Sequence, residues 1–165
     1  MTTYTATVRR TDNAPIGLGM AGSLKNYGAR TIELAAVASG SLVDFQLQIP
    51  SNLRLSTLSR VLHDDLATSG SPTLDIGLYA VNSNITSDDD ALNDGIVISA
   101  IMTTSTQTIG VPVVKDFANG GKRAWEFVNG QTTDPGGMLA VKGIIRDAAT
   151  NATGTITLEM VGYLD

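Results

Sequence analysis

Leu42–Pro50 reads LVDFQLQIP, and its alternation decides the fold. Val43, Phe45, Leu47 and Ile49 are apolar, while Asp44, Gln46 and Gln48 between them are polar. Side chains of a strand point alternately to its two faces, so a strict period of two marks one buried face and one wet face. Pro50-Ser51-Asn52 closes the stretch, because proline cannot donate to a ladder.

Outward from this strand the same grammar repeats. Leu53–Leu62 reads as the next strand, with Leu53, Leu55, Thr57, Ser59 and Val61 on one face. The turn-forming run ATSGSP at 67–72 leads into Thr73–Val81, where Leu74, Ile76, Leu78 and Ala80 share a side. Asn82–Gly95 reads as a polar loop in which Ser87 caps a short helical turn, with Asp88, Asp89 and Asp90 at its favourable N-terminal end. Ile96–Met102 resumes strand character. Ala124–Val128 (AWEFV) sets Trp125 and Phe127 on one face of a further strand. TTDPGG at 132–137 is a tight turn. Met138–Arg146 and Thr155–Val161 are the remaining strands, with a hairpin-type connection at Asp147–Gly154. Nowhere does a helical apolar period persist beyond about two turns. Twenty threonines suit pleated surfaces.

The expectation is an all-β domain, a β-sandwich or jelly roll of seven to eight antiparallel strands over 41–165, preceded by an extended N-terminal arm over 1–40. Phe45, Leu47, Ile76, Leu78, Trp125, Ile156 and Leu158 are its expected core. The length of 165 residues suits one domain, and the absence of cysteine removes thiol catalysis, disulfides and Cys-based metal sites. No apolar run approaches the roughly 20 residues that span a bilayer, and residues 1–10 show no signal-peptide pattern. The plain expectation is a soluble protein used without export.

Charge is divided along the chain. Residues 1–30 hold four Lys/Arg against one Asp, net +3, whereas residues 31–165 hold seven against fifteen Asp/Glu, net −8. A basic arm on an acidic body can reach an acidic surface of a neighbouring subunit. The same balance speaks against a nucleic-acid reader, which would show a basic face. Ala14–Ser23 is uncharged and glycine-rich, with Ile16, Leu18 and Met20 at period two. The expected partner-binding residues are therefore Ile16, Leu18 and Met20 as apolar anchors and Arg9, Arg10, Lys25 and Arg30 as steering charges.

Candidate chemistry is sparse. The single histidine, His63, adjoins Asp64 and Asp65, but neighbouring strand residues diverge, so it reads as a solvated strand end. Asp88–Asp94 fails as an EF-hand, since Asn93 stands where glycine belongs and Ser99 where the closing glutamate belongs. Gly17-Leu18-Gly19 lacks the strand and helix that a phosphate loop needs. No nucleophile, metal or cofactor set is expected.

Several stretches carry a likeness to known proteins: TLDIGLYAVNSN and DALNDG within Thr73–Gly95, GKRAWEF and TDPGG within Gly121–Gly137, and the closing GTITLEMVGYLD. Over roughly 40–165 the sequence resembles small virion structural proteins of tailed bacteriophages, and most of all capsid decoration (cement) proteins. The resemblance implies a non-enzymatic subunit, a homotrimer, that binds the major capsid protein on the capsid exterior and stabilises the head. The same motifs fit a tail, collar or fibre-associated subunit. A carbohydrate-binding module, with Trp125 and Tyr79 as stacking platforms, is the alternative of another class.

Overall fold

The computed structural model describes residues 3–5, 24–99, 111–113 and 119–164. Ten strands follow one another among the described residues: β1 (Thr3–Thr5), β2 (Lys25–Ala35), β3 (Leu42–Pro50), β4 (Arg54–Leu55), β5 (Arg60–His63), β6 (Thr73–Ala80), β7 (Asp88–Val97), β8 (Val111–Pro112), β9 (Met138–Arg146) and β10 (Thr153–Tyr163). They form two sheets, β1-β3-β9-β6-β7 and β2-β10-β5-β8, with β4 paired to β10. Without β1 and β4, two four-stranded sheets remain, and their interleaved order is that of a double Greek key. The protein is a jelly-roll β-sandwich, as expected.

The inner faces supply one core. Phe45, Ile49, Leu53, Leu55, Leu74, Ile76, Leu78, Leu139, Ile156 and Leu158 are fully buried between the sheets. Each such side chain contributes about 1.5–3 kcal/mol of burial. Trp125 departs from the expected core, being half-buried. It lies in a 3-10 turn, Ala124–Phe127, rather than in a strand. Glu126 reaches back to accept the Arg123 N–H at 2.6 Å, which caps that turn locally and outweighs the apparent alternation.

Four other expectations need correction. Leu53–Leu62 is interrupted at residues 56–59, where the Ser59 N–H donates to the Ser56 carbonyl. The Ser59 hydroxyl then serves both backbone groups of Val161, donating to its oxygen and accepting from its nitrogen at 2.9 Å each. A side chain thus replaces a ladder rung. Asp88–Asp90 open β7 instead of a helical turn. Between Asp88 and Asn93, β7 advances five positions while β6 advances two, from Leu78 to Ile76, so three residues bulge out. A bulge of that size erases the alternation that marks a strand. The Asp147–Gly154 connection is not a hairpin, because β9 and β10 belong to different sheets. Finally, residues 25–35, expected within the arm, form β2 and pair with β10 over nearly its whole length.

Candidate assembly surfaces

With the inner faces consumed by the core, the outer faces of the two sheets are what the domain presents. On the first sheet, outward positions of four strands meet in an ionic row. Arg146 of β9 donates from Nε to Asp75 of β6 at 2.9 Å and from Nη2 to Asp89 of β7 at 3.1 Å. The Tyr79 hydroxyl donates to Asp89 at 2.7 Å, and the Gly95 N–H donates to Asp75 at 2.9 Å. Lys142 lies 5.6 Å from the Tyr79 ring centroid and pairs with Asp44 of β3 at 3.0 Å. Burial, then the hydrogen bond to Asp89, pushes the Tyr79 phenol well above the ordinary tyrosine range. The hydrogen bond to Asp75 holds Arg146 still more firmly protonated.

Gly77 makes this row possible. The carbonyl oxygens of Asp88 and Asp89 lie 2.3 and 2.5 Å from where a Cβ would stand on Gly77. The β7 bulge therefore folds down onto β6, and that brings Asp89 over Tyr79 and Arg146. Beside it, Thr86, Ser87, Asp88, Asp89, Asp90, Asn129 and Arg146 line an open cleft of about 460 Å³. A hydrogen bond that the protonated Asp90 carboxyl donates to Asp88 raises its pKa above the ordinary carboxylate range. No group of three or more His, Asp or Glu among the described residues is arranged to hold a metal ion.

The outer face of the second sheet is a hydroxyl row. Thr31 and Thr157 oxygens lie 2.8 Å apart. Thr155 donates twice to Asp64, and Glu159 is shared by Arg60 at 2.6 Å and Asn26 at 2.9 Å. Leu58, 58% exposed, stands at the tip of the turn before β5.

The expected site residues fare differently. Arg9, Arg10, Ile16, Leu18 and Met20 lie outside the described residues. Lys25 begins β2, half-buried and paired with Gly162. Arg30 shares β2's inner face with Ile32 and Leu34, opposite Leu158. Its guanidinium lies near Gly28, against which Leu47 of the other sheet also packs. An inward charge on an edge strand discourages pairing with a further strand. His63 is not a solvated strand end. It is buried at 8% exposure, with Nδ1 2.8 Å from the Asp64 carbonyl, whereas the Asp64 side chain turns out to β10 as divergence requires. Tyr79 and Trp125 do not share an element: Tyr79 sits in the ionic row and Trp125 in the 3-10 turn. Sequence reasoning missed the ionic row. Its one visible signal was Asp75 and Gly77 interrupting the apolar run of β6.

No family model matches the chain, and no curated protein matches it. Among solved structures, a chain of the "Capsid of Ralstonia phage GP4" superposes with a TM-score of 0.56 at 16% identity, covering 99% of this chain and 98% of that one. At that identity the likeness is one of fold.

Proposed function

We propose that this chain is a structural subunit of a phage virion, and specifically a decoration (cement) protein. It would bind the lattice of the major capsid protein on the head exterior as a homotrimer and stabilise the assembled shell. The observation that carries this reading is the likeness to a capsid chain over nearly the whole length of both molecules. The sequence resemblance to decoration proteins points the same way from independent features. The two outer faces add physical support. Their polar groups are largely paired among themselves, so such a surface docks through many shallow contacts rather than by chemistry at one point. Binding in this reading draws on residues 1–24 as well. Ile16, Leu18 and Met20 supply apolar contact, and Arg9 and Arg10 are attracted to acidic surface.

Cryo-electron microscopy of particles made with and without the protein tests the reading. The expected result is regularly spaced density on the head exterior that disappears with the gene. Density at the tail or collar, or unchanged particles, would overturn it. Deleting residues 1–22 should weaken co-sedimentation with heads while leaving the sandwich folded, and raised salt should do less, because the anchors are apolar.

A further inference from the structure

β1 is attached to the domain in an unusual way. It is three residues long and runs parallel to β3, with Thr3, Tyr4 and Thr5 opposite Leu42, Val43 and Asp44. Every other pairing between the strands is antiparallel. The slot it fills is bounded. Immediately after Asp44 the register of β3 shifts, Gln46 takes a left-handed φ of 52°, and the Gln46 N–H turns to the Asp44 carboxylate at 2.8 Å. A bulge of this kind interrupts the ladder, so the regular stretch of the β3 edge that faces β1 stops at Asp44. Beyond Asp44 it carries no strand among the described residues.

We propose that β1 is an exchangeable strand: in self-associated protein, Thr3–Thr5 of one copy occupies the Leu42–Asp44 edge of a second copy. The pairing is made of backbone bonds in a short register, and a second copy's strand makes the same bonds. Exchange therefore loses no contact, which is why swapping an element is a low-cost route to association. Eighteen residues, 6–23, separate Thr5 from Leu24. Fully extended, such a connection reaches up to about 60 Å, farther than a neighbouring copy of a domain this size lies. Short linkers that can span two sites give effective concentrations of order millimolar. Exchange between copies then competes with pairing in one chain once the protein is at about 1 mM or crowded on a particle. The proposal deepens the assembly reading by naming a partner strand and its acceptor edge, and it rests on that reading for the copies being neighbours. Its test uses protein free of particles, so either can fail without the other.

The chain has no cysteine, so single cysteines report cleanly. Neighbouring strands lie about 4.8 Å apart, within the Cα separations that a disulfide spans. Thr3→Cys protein would be mixed with size-tagged Leu42→Cys protein at about 1 mM and oxidised gently. A third variant, Leu58→Cys at a more exposed site, replaces Leu42→Cys as a stringent collision control. Exchange predicts a 3–42 cross-linked heterodimer in at least about tenfold excess over the 3–58 species, falling as the mixture is diluted before oxidation. Equal yields of the two species would overturn the proposal. The double variant Thr3→Cys/Leu42→Cys gives a second readout: covalent oligomers at high concentration support exchange, and internally bridged monomer at every concentration refutes it.

Discussion

Gly77→Ala is the sharpest test of the architecture. Gly77 is not in the left-handed region, so alanine costs nothing in backbone conformation there, and the effect is purely steric. The added methyl would meet the Asp88 oxygen at 2.3 Å, the Asp89 oxygen at 2.5 Å and the Asp89 carbonyl carbon at 2.6 Å. All three are backbone atoms and cannot rotate away. Restoring even a 3.0 Å contact to the first needs β7 to rise by 0.7 Å, the difference between 3.0 and the 2.3 Å present. That movement strains the bonds that Asp89 makes to Tyr79 and Arg146. Overpacking typically costs about 1–3 kcal/mol. The upper end applies here, about 3 kcal/mol, which corresponds to a fall in Tm of about 6–12 °C for a domain of this size. Gly95→Ala is the control: Gly95 has a φ of +81° but nothing within 4 Å of a Cβ, so it should lose only about 1 kcal/mol through conformation. Urea melts at matched protein concentration measure both. A Gly77→Ala loss below about 0.5 kcal/mol, the range of ordinary surface changes, would mean that the bulge does not rest on β6.

Four further outcomes follow. Leu78→Ala, at a fully buried position, should cost about 2–5 kcal/mol in the same melts, and a surface-like value would break the register of β6. Arg146→Met should cost about 1–3 kcal/mol, because Asp75, 5% exposed, loses its charged partner; a double-mutant cycle with Asp75→Leu should show coupling, and additivity would contradict the ion pair. The folded-state pKa of Tyr79 is raised above the ordinary value of 10.0, so its stabilising contribution is complete below that pH and is lost as pH rises beyond it, when the unfolded chain releases the proton and the folded one retains it. Tyr79→Phe should flatten this alkaline limb in melts from pH 9 to 11, and an unchanged limb would remove Tyr79 as its source. His63→Ala should lower stability, since His63 is buried, yet leave head binding within a few-fold, and folded protein that no longer binds would assign the histidine a role at the interface.

What could be read in the sequence follows the physics of each element. The strand β9 was legible as a mostly apolar run between turn signals, and β3, β6 and β10 were legible because apolar residues recur at period two along their core-facing sides. The outward Thr155, Thr157 and Glu159 of β10 were legible for the same reason. β7 was hidden, because a three-residue bulge destroys periodicity and because Ser87-Asp88-Asp89-Asp90 is good helix-start chemistry. Tertiary contacts to Arg146 and Tyr79 override that local preference, and those partners lie 57 and 10 residues away. β2 was hidden by its charge: Arg30 occupies an inner position that an alternation rule assigns to an apolar residue. The ionic row as a whole could not be foreseen, since it depends on which strands neighbour each other, and the jelly-roll order interleaves them.

The place of β10 between β2 and β5 has a consequence during synthesis. β10 is made after every strand it joins, and its partners in β2 precede it by more than a hundred residues: Ala35 pairs with Thr153. At roughly 5–20 residues per second a ribosome needs on the order of 6–24 s to cover that interval. Until then β2 and β5 have no strand between them, so the second sheet cannot close on the nascent chain. The domain must therefore finish folding late, in one step that joins distant segments, and such topologies fold slowly. The waiting strand is hazardous wherever like edges of many copies meet. Arg30 in the midst of its inner face, beside Ile32 and Leu34, keeps that waiting strand from forming an all-apolar stripe on which other nascent chains could stack.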